Sequence, residues 1–260
     1  GIGFRFDPGP VVDEPLRSWQ QVKAITVPEP EATAPEVFET IRIVRREVSA
    51  EKAVLGFAGA PLSLAAYLVE GQGSKSSFPR VRAMLADAPE LFDALMSRLA
   101  DLSARYLSEQ VRAGADAVQV FDTWAGLFDR ETWLAHVRPH LLALLERVGE
   151  TGAPRILYVN DAPHVMADYA ALPCEALACD WREDRAAIRD LVGAGKAVQG
   201  NIDPATLLTS PETVRRATLA TLGRIPAAGH VVNLGHGILP QARIDCVEAL
   251  IETVHDEPTG

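Results

Sequence analysis

Two side chains sit where chemistry is commonly done. His236 lies between two glycines in the run NLGHGILP, residues 233–240, just past an apolar stretch. Tyr67 lies in GFAGAPLSLAAYLVEGQGS, residues 56–74, which reads as a strand end, a Gly/Pro turn, a short helix and a glycine-rich loop. Both runs put a hydrogen-bonding side chain just beyond the carboxyl end of a strand, where parallel barrels bind ligands. A histidine there can donate to a carboxylate whether neutral or charged, and flanking glycines let backbone approach a ligand. The plainer alternatives are a solvated loop histidine and a tyrosine packed in the core. Thr123, after the apolar run ending Phe121-Asp122, is equally a turn or capping residue when taken alone. The other chemically capable residues form no pattern. Cys174, Cys179 and Cys246 make no CxxC pair and none lies one residue from a histidine, which disfavours a zinc site.

The elements that must position these residues alternate. A first strand is expected at Ile2 to Phe6, with turns at Asp7-Pro8-Gly9. Thr33 with Glu36 reads as a capping box opening a helix. Buried strands are expected at Ala53 to Phe57, Ala117 to Phe121, Arg155 to Val159, Ala176 to Cys179, Lys196 to Gln199 and His230 to Leu234. Helices fall between them: a long one capped by Asp87 and Glu90 and ended by Gly114, one from Arg130 to Val148, one from Asp184 to Val192, one capped by Thr209 with Glu212, and one from Ala242 to Val254. Strand–helix alternation implies a parallel sheet. The count is six such units after residue 52, two short of a closed eight-stranded barrel. No phosphate-binding GxGxxG follows any of these strands, so a nucleotide-binding domain is disfavoured. Residues 71–74 read as a flexible loop.

Composition narrows the class. The chain has 260 residues, which fits one large α/β domain as well as two small ones, and 48% of them are hydrophobic, enough for a sizeable core. A net charge of -10 argues against nonspecific nucleic-acid binding. It leaves room for an anionic small molecule in a locally cationic pocket. The unpaired cysteines fit a reducing, cytoplasmic compartment. No apolar run reaches about 18 residues, so no membrane-spanning helix is expected.

Four stretches, GFAGAPLSLAAYLVEG, QVFDTWAG at 119–126, QGNIDP at 199–204 and NLGHGILP, occur in an order and spacing that resemble the uroporphyrinogen decarboxylase family. The Asp180-Trp181 pair and the long helix also fit, and the resemblance covers essentially the whole chain. It implies a distorted (β/α)8 TIM barrel forming a single domain over 1–260, with the first two β/α units missing from this chain. The family's arginine-rich RQAGR-like motif and its essential aspartate occur nowhere in the sequence and would lie before Gly1. The fragment alone is therefore expected to be inactive, and strand edges left bare by missing neighbours are expected to invite association.

The resemblance further implies a cytoplasmic homodimer that needs no cofactor and removes the carboxyl groups of the four acetate side chains of uroporphyrinogen III. It assigns Tyr67 and His236 to catalysis. Tyr67, Thr123 and His236 would contact substrate carboxylates, and Phe57 and Phe121 would pack the pyrrole faces. For the two phenylalanines, ordinary core packing accounts for the positions equally well. Asp122 is expected to serve structure. Lys75, Arg80 and Arg82 could attract the polyanion but read individually as solvated surface. Two other readings remain: a corrinoid or thiol methyltransferase on the same barrel, and a non-catalytic porphyrinogen-binding relative.

Overall fold

The structure, a computed structural model, describes residues 2–7, 9–73, 77–224 and 228–256. Pro8, Ser74 and Lys75, which entered the sequence reading, lie outside the described residues. The chain divides into two compact units, Gly1–Ile156 and Leu157–Gly260. The boundary falls inside a strand, Arg155–Val159.

The strands are β1 (Phe4–Phe6), β2 (Pro10–Val12), β3 (Leu55–Gly59), β4 (Ala117–Asp122), β5 (Arg155–Val159), β6 (Ala176–Cys179), β7 (Ala197–Gln199) and β8 (His230–Val231). The helices are α1 (Trp19–Ala24), α2 (Pro30–Thr33), α3 (Pro35–Glu47), α4 (Pro61–Glu70), α5 (Pro79–Asp87), α6 (Pro89–Arg112), α7 (Arg130–His136), α8 (Arg138–Gly149), α9 (Met166–Ala170), α10 (Arg185–Val192), α11 (Pro211–Leu222) and α12 (Ile244–Asp256). β1 and β2 pair antiparallel as a hairpin. β3 to β8 form one six-stranded sheet in chain order, with β3–β4, β6–β7 and β7–β8 parallel. The chain is thus α/β, with the strand number and sequential order expected of a barrel short of two strands.

In the first unit the sequence builds its core on α6. Its apolar residues recur every third or fourth position, and Leu91, Phe92, Leu95, Met96 and Leu99 are buried. A smaller cluster joins Phe38 and Ile41 of α3 to Ala113 and Ala115. In the second unit α11 and α12 meet over Leu207, Val214, Cys246 and Ala249. Prolines open α3, α4, α5, α6 and α11, where a missing N–H costs nothing and a fixed φ suits the first turn.

Several boundaries differ from the sequence reading. Thr33 closes α2 rather than capping α3, which starts at Pro35 with no side-chain cap. α11 is capped by Ser210, whose hydroxyl accepts from the Thr213 N–H, not by Thr209. α6 is capped by Ala88 without a side-chain bond, so Asp87 is no cap. The expected helix at 130–148 is two helices, broken at Val137 ahead of Pro139. The last strand stops at Val231.

β3 lies two residues later than expected and is not fully buried. Its residues alternate, with Leu55 and Phe57 exposed and Gly56 and Ala58 buried. Its outer edge is not bare either. The Gln110 side chain of α6 accepts from the Phe57 N–H at 2.8 Å and donates to the Phe57 carbonyl at 3.0 Å. One helix carboxamide thereby makes both bonds a neighbouring strand would make at that residue. Ser103, two turns earlier, donates to the Gly59 carbonyl at 3.1 Å.

Candidate functional site

In the first unit, α4 starts directly after β3, and the Ala60 N–H is held by the Phe121 carbonyl at the end of β4. Ser63 Oγ, in the first turn of α4, donates to Asp122 Oδ1 at 3.0 Å and accepts from the Trp124 N–H at 3.3 Å. Asp122 is fully buried, so this carboxylate fastens the loop after β4 to α4 and serves structure. Thr123, half-buried, lies inside the fastened loop. Tyr67 is four residues beyond Ser63 and therefore on the same face of the helix, towards that loop. Its ring meets Phe78 edge-on at 5.7 Å and Trp124 at 6.3 Å. Among the described residues its hydroxyl has no hydrogen-bond partner. Gly71 ends α4 in the left-handed conformation, φ 96°, which a residue with a Cβ rarely adopts.

Phe57 and Phe121 come together edge-on, with centroids 5.9 Å apart. The register pairs Gly59 with Phe121, which puts both rings on one face of the sheet. Phe57 is 63% exposed. Core packing therefore does not account for it, although it was an equal reading of the sequence. Arg80 is exposed and pairs loosely with Glu70, as a surface cation does.

In the second unit, His236 follows β8 in an exposed loop. The loop is pinned from two sides: the Gly235 N–H donates to Ile202 O at 2.7 Å, and the buried Tyr158 hydroxyl donates to Gly235 O at 2.8 Å. Burial pushes the Tyr158 phenol well up, so it stays a protonated donor at any physiological pH. A Cβ on Gly235 would lie 2.4 Å from the Trp181 backbone nitrogen, so only glycine allows this approach. His236 then lies nearly parallel to Tyr158, centroids 5.8 Å apart at 15°, and to Trp181, 6.4 Å at 18°. The Arg182 guanidinium covers the Trp181 ring at 4.1 Å.

Asp180 anchors this column. It is fully buried and accepts from the Asp161 N–H at 2.5 Å, the Arg182 N–H at 2.7 Å and Arg182 Nη1 at 3.3 Å. Partial desolvation lowers the His236 pKa; Asp180 opposes this and Arg182 adds to it. A neutral imidazole results, with one N–H to donate and one nitrogen to accept.

The sequence reading named Tyr67, Thr123 and His236 as site candidates, but not the side chains packed around them. Tyr158, the Trp181–Arg182 stack, the Ser63–Asp122 clasp and the Trp124 indole, which surround these candidates, were not singled out. YVND at 158–161, a strand running into two polar residues, was the available signal for Tyr158. Among the described residues no group of three His, Cys, Asp or Glu side chains is arranged to hold a metal ion. All three cysteines are buried, and burial pushes the Cys179 thiol up to about 12.

Each unit thus gathers aromatic and hydrogen-bonding groups at or just beyond the carboxyl ends of parallel strands, the anatomy of an α/β enzyme. Comparison with known proteins gives the family. The uroporphyrinogen decarboxylase (URO-D) family model matches residues 1–257. The uroporphyrinogen decarboxylase of Carboxydothermus hydrogenoformans is 38% identical, over 98% of this chain and 74% of its own length. Those of Alkalilimnicola ehrlichii and Geobacter sulfurreducens are 37% and 35% identical, again over 98% of this chain and over 72% and 75% of theirs. Among solved structures, a methyltransferase from Methanosarcina mazei superposes with a TM-score of 0.82 at 17% identity, covering 98% of this chain and 75% of that one. A B12-independent methionine synthase from Shewanella sp. W3-18-1 gives 0.60 at 12% identity, over 84% and 66%. These two likenesses concern the fold alone. The chain belongs to the uroporphyrinogen decarboxylase family.

Proposed function

We propose that the protein is a uroporphyrinogen decarboxylase, removing CO2 from the four acetate side chains of uroporphyrinogen III to leave coproporphyrinogen III. The observation that carries this is the family match across residues 1–257, supported by identities of 35–38% with enzymes of that name. The chemistry needs an electron sink, because breaking the bond to the carboxylate leaves its electron pair on the methylene carbon. A protonated pyrrole accepts that pair, CO2 departs, and a proton then arrives at the same carbon as the ring gives up its own. The substrate thus supplies what decarboxylases often borrow from a cofactor.

What remains for the protein is to hold a flexible polyanion, orient one acetate and manage protons. Tyr67 suits the acetate: its hydroxyl is an uncommitted donor among the described residues, held by an aromatic cluster beside the loop that carries Thr123. Thr123 is assigned to a side-chain carboxylate, and the exposed Phe57 with Phe121 to a pyrrole face. His236, neutral and nearly parallel to the Tyr158 and Trp181 rings, is assigned to a propionate or acetate carboxylate. Residues 1–260 hold neither the arginine-rich motif nor the aspartate named by the resemblance, so by themselves they should turn over poorly. A cytoplasmic homodimer forming a single domain completes the reading. Among the described residues no helix is long and apolar enough to cross a membrane. No specific observation favours the methyltransferase reading over this one.

The test is complementation: the whole gene, placed in a bacterium lacking its own uroporphyrinogen decarboxylase, should restore growth without added haem. Failure to restore it, with the protein present and folded, counts against the assignment.

A further inference from the structure

Trp124 carries an anomaly. Its indole Nε1–H is buried and has no acceptor among the described residues. Buried donors are nearly always paired, so an orphan calls for a cause. The indole is fixed in place, since its backbone N–H is bound to Ser63 and its ring packs on Phe78 at 4.6 Å and Tyr67 at 6.3 Å. Phe78 is itself irregular. It is fully buried, yet its backbone is left-handed, φ 49° and ψ 61°, and Ser77 before it has φ 58°. Bulky residues seldom accept that conformation, and when they do it often marks a functional position. Two consecutive unfavourable residues therefore hold a benzyl ring against the indole whose donor lacks a partner.

We propose that Phe78 occupies the place of a substrate group, and that the Trp124 indole N–H becomes a hydrogen-bond donor to a substrate carboxylate once that group displaces the Phe78 ring. This deepens the decarboxylase reading and rests on it. An indole N–H only donates and a carboxylate only accepts, so the two are complementary, and a bond to a charged acceptor is among the stronger kinds. Unlike an arginine, the indole brings no charge. It discriminates where a carboxylate lies rather than adding attraction for any anion. Its neighbours on either side, Thr123 in the chain and Tyr67 in space, are the two residues assigned to carboxylates on separate grounds.

The test uses the whole gene product labelled with 15N at its indoles. The sequence has four tryptophans, and Trp124→Phe identifies the resonance in question. Coproporphyrinogen III, the unreactive product, and then uroporphyrinogen III are added without oxygen. The Trp124 indole proton should move downfield on binding, and Trp124→Phe should raise KM about tenfold, with kcat changed less. Phe78→Leu, a smaller cover, should lower KM. An unmoved Trp124 resonance in an enzyme that binds and turns over, or a wild-type KM in Trp124→Phe, overturns the proposal and leaves the decarboxylase reading standing. A raised KM in Phe78→Leu overturns the displacement. No turnover with no indole moved overturns both.

Discussion

At the scale of residues, hydroxyls that must donate differ from rings that must only fill space. Tyr67→Phe keeps the ring against Phe78 and Trp124 and removes the hydroxyl, so kcat should fall by about tenfold or more while the melting temperature holds. Thr123→Ser keeps its hydroxyl and should be nearly silent; Thr123→Val should raise KM. His236→Asn should spread the products, leaving partly decarboxylated porphyrinogens that chromatography of the oxidised porphyrins would reveal. If Tyr67→Phe and His236→Asn match the wild type in rate and product spread, the site assignment fails. These three candidates could be named from the sequence because each sits in a short run of glycines and strand-end residues. Their supports could not. Tyr158 and Gly235 bond across 77 positions of chain, and Ser63 reaches Asp122 across 59. Nothing local marks such a contact until the strands bring its partners side by side.

At the scale of elements, two connections decide how the site residues are held. Gln110 supplies the missing partner of β3 at Phe57, and its side chain is buried. Gln110→Ala leaves two backbone groups unpaired, and we expect it to cost about 1–3 kcal/mol, read as a lower urea midpoint with unchanged slope. A midpoint within error of wild type would show that water serves the edge equally well. Gly235→Ala drives a methyl into the Trp181 backbone, so the His236 loop must move away from Trp181. Loss of control over the product spread is the expected consequence, matching that of His236→Asn.

Strand and helix order was legible because apolar runs and helical periodicity are local properties. The caps were less so: Thr33 and Thr209 look like caps in sequence, but Pro35 and Pro211 fix where the helices begin. The half-open character of β3 was not legible either. Its apolar composition reads as burial, whereas its exposure depends on what lies beside it.

At the scale of the whole molecule, pH reports on partly buried histidines. Burial lowers the pKa of His140 and of His230 below the ordinary imidazole value of 6.5, and His236 shifts the same way. Between the lowered values and 6.5 the unfolded chain binds more protons than the folded one. Stability should therefore rise with pH through that window and level off above it. A flat profile from pH 5 to 7 would contradict the burial. The single domain we propose predicts one cooperative unfolding transition, coincident by fluorescence and circular dichroism. Two separated transitions would instead make Gly1–Ile156 and Leu157–Gly260 independent folding units. The most direct measurement is anaerobic incubation of the whole gene product with uroporphyrinogen III and a metal chelator, with the oxidised porphyrins separated over time. The account predicts stepwise passage from eight carboxyl groups to four. An unchanged eight-carboxyl porphyrin, from a protein that is folded and soluble, would contradict it.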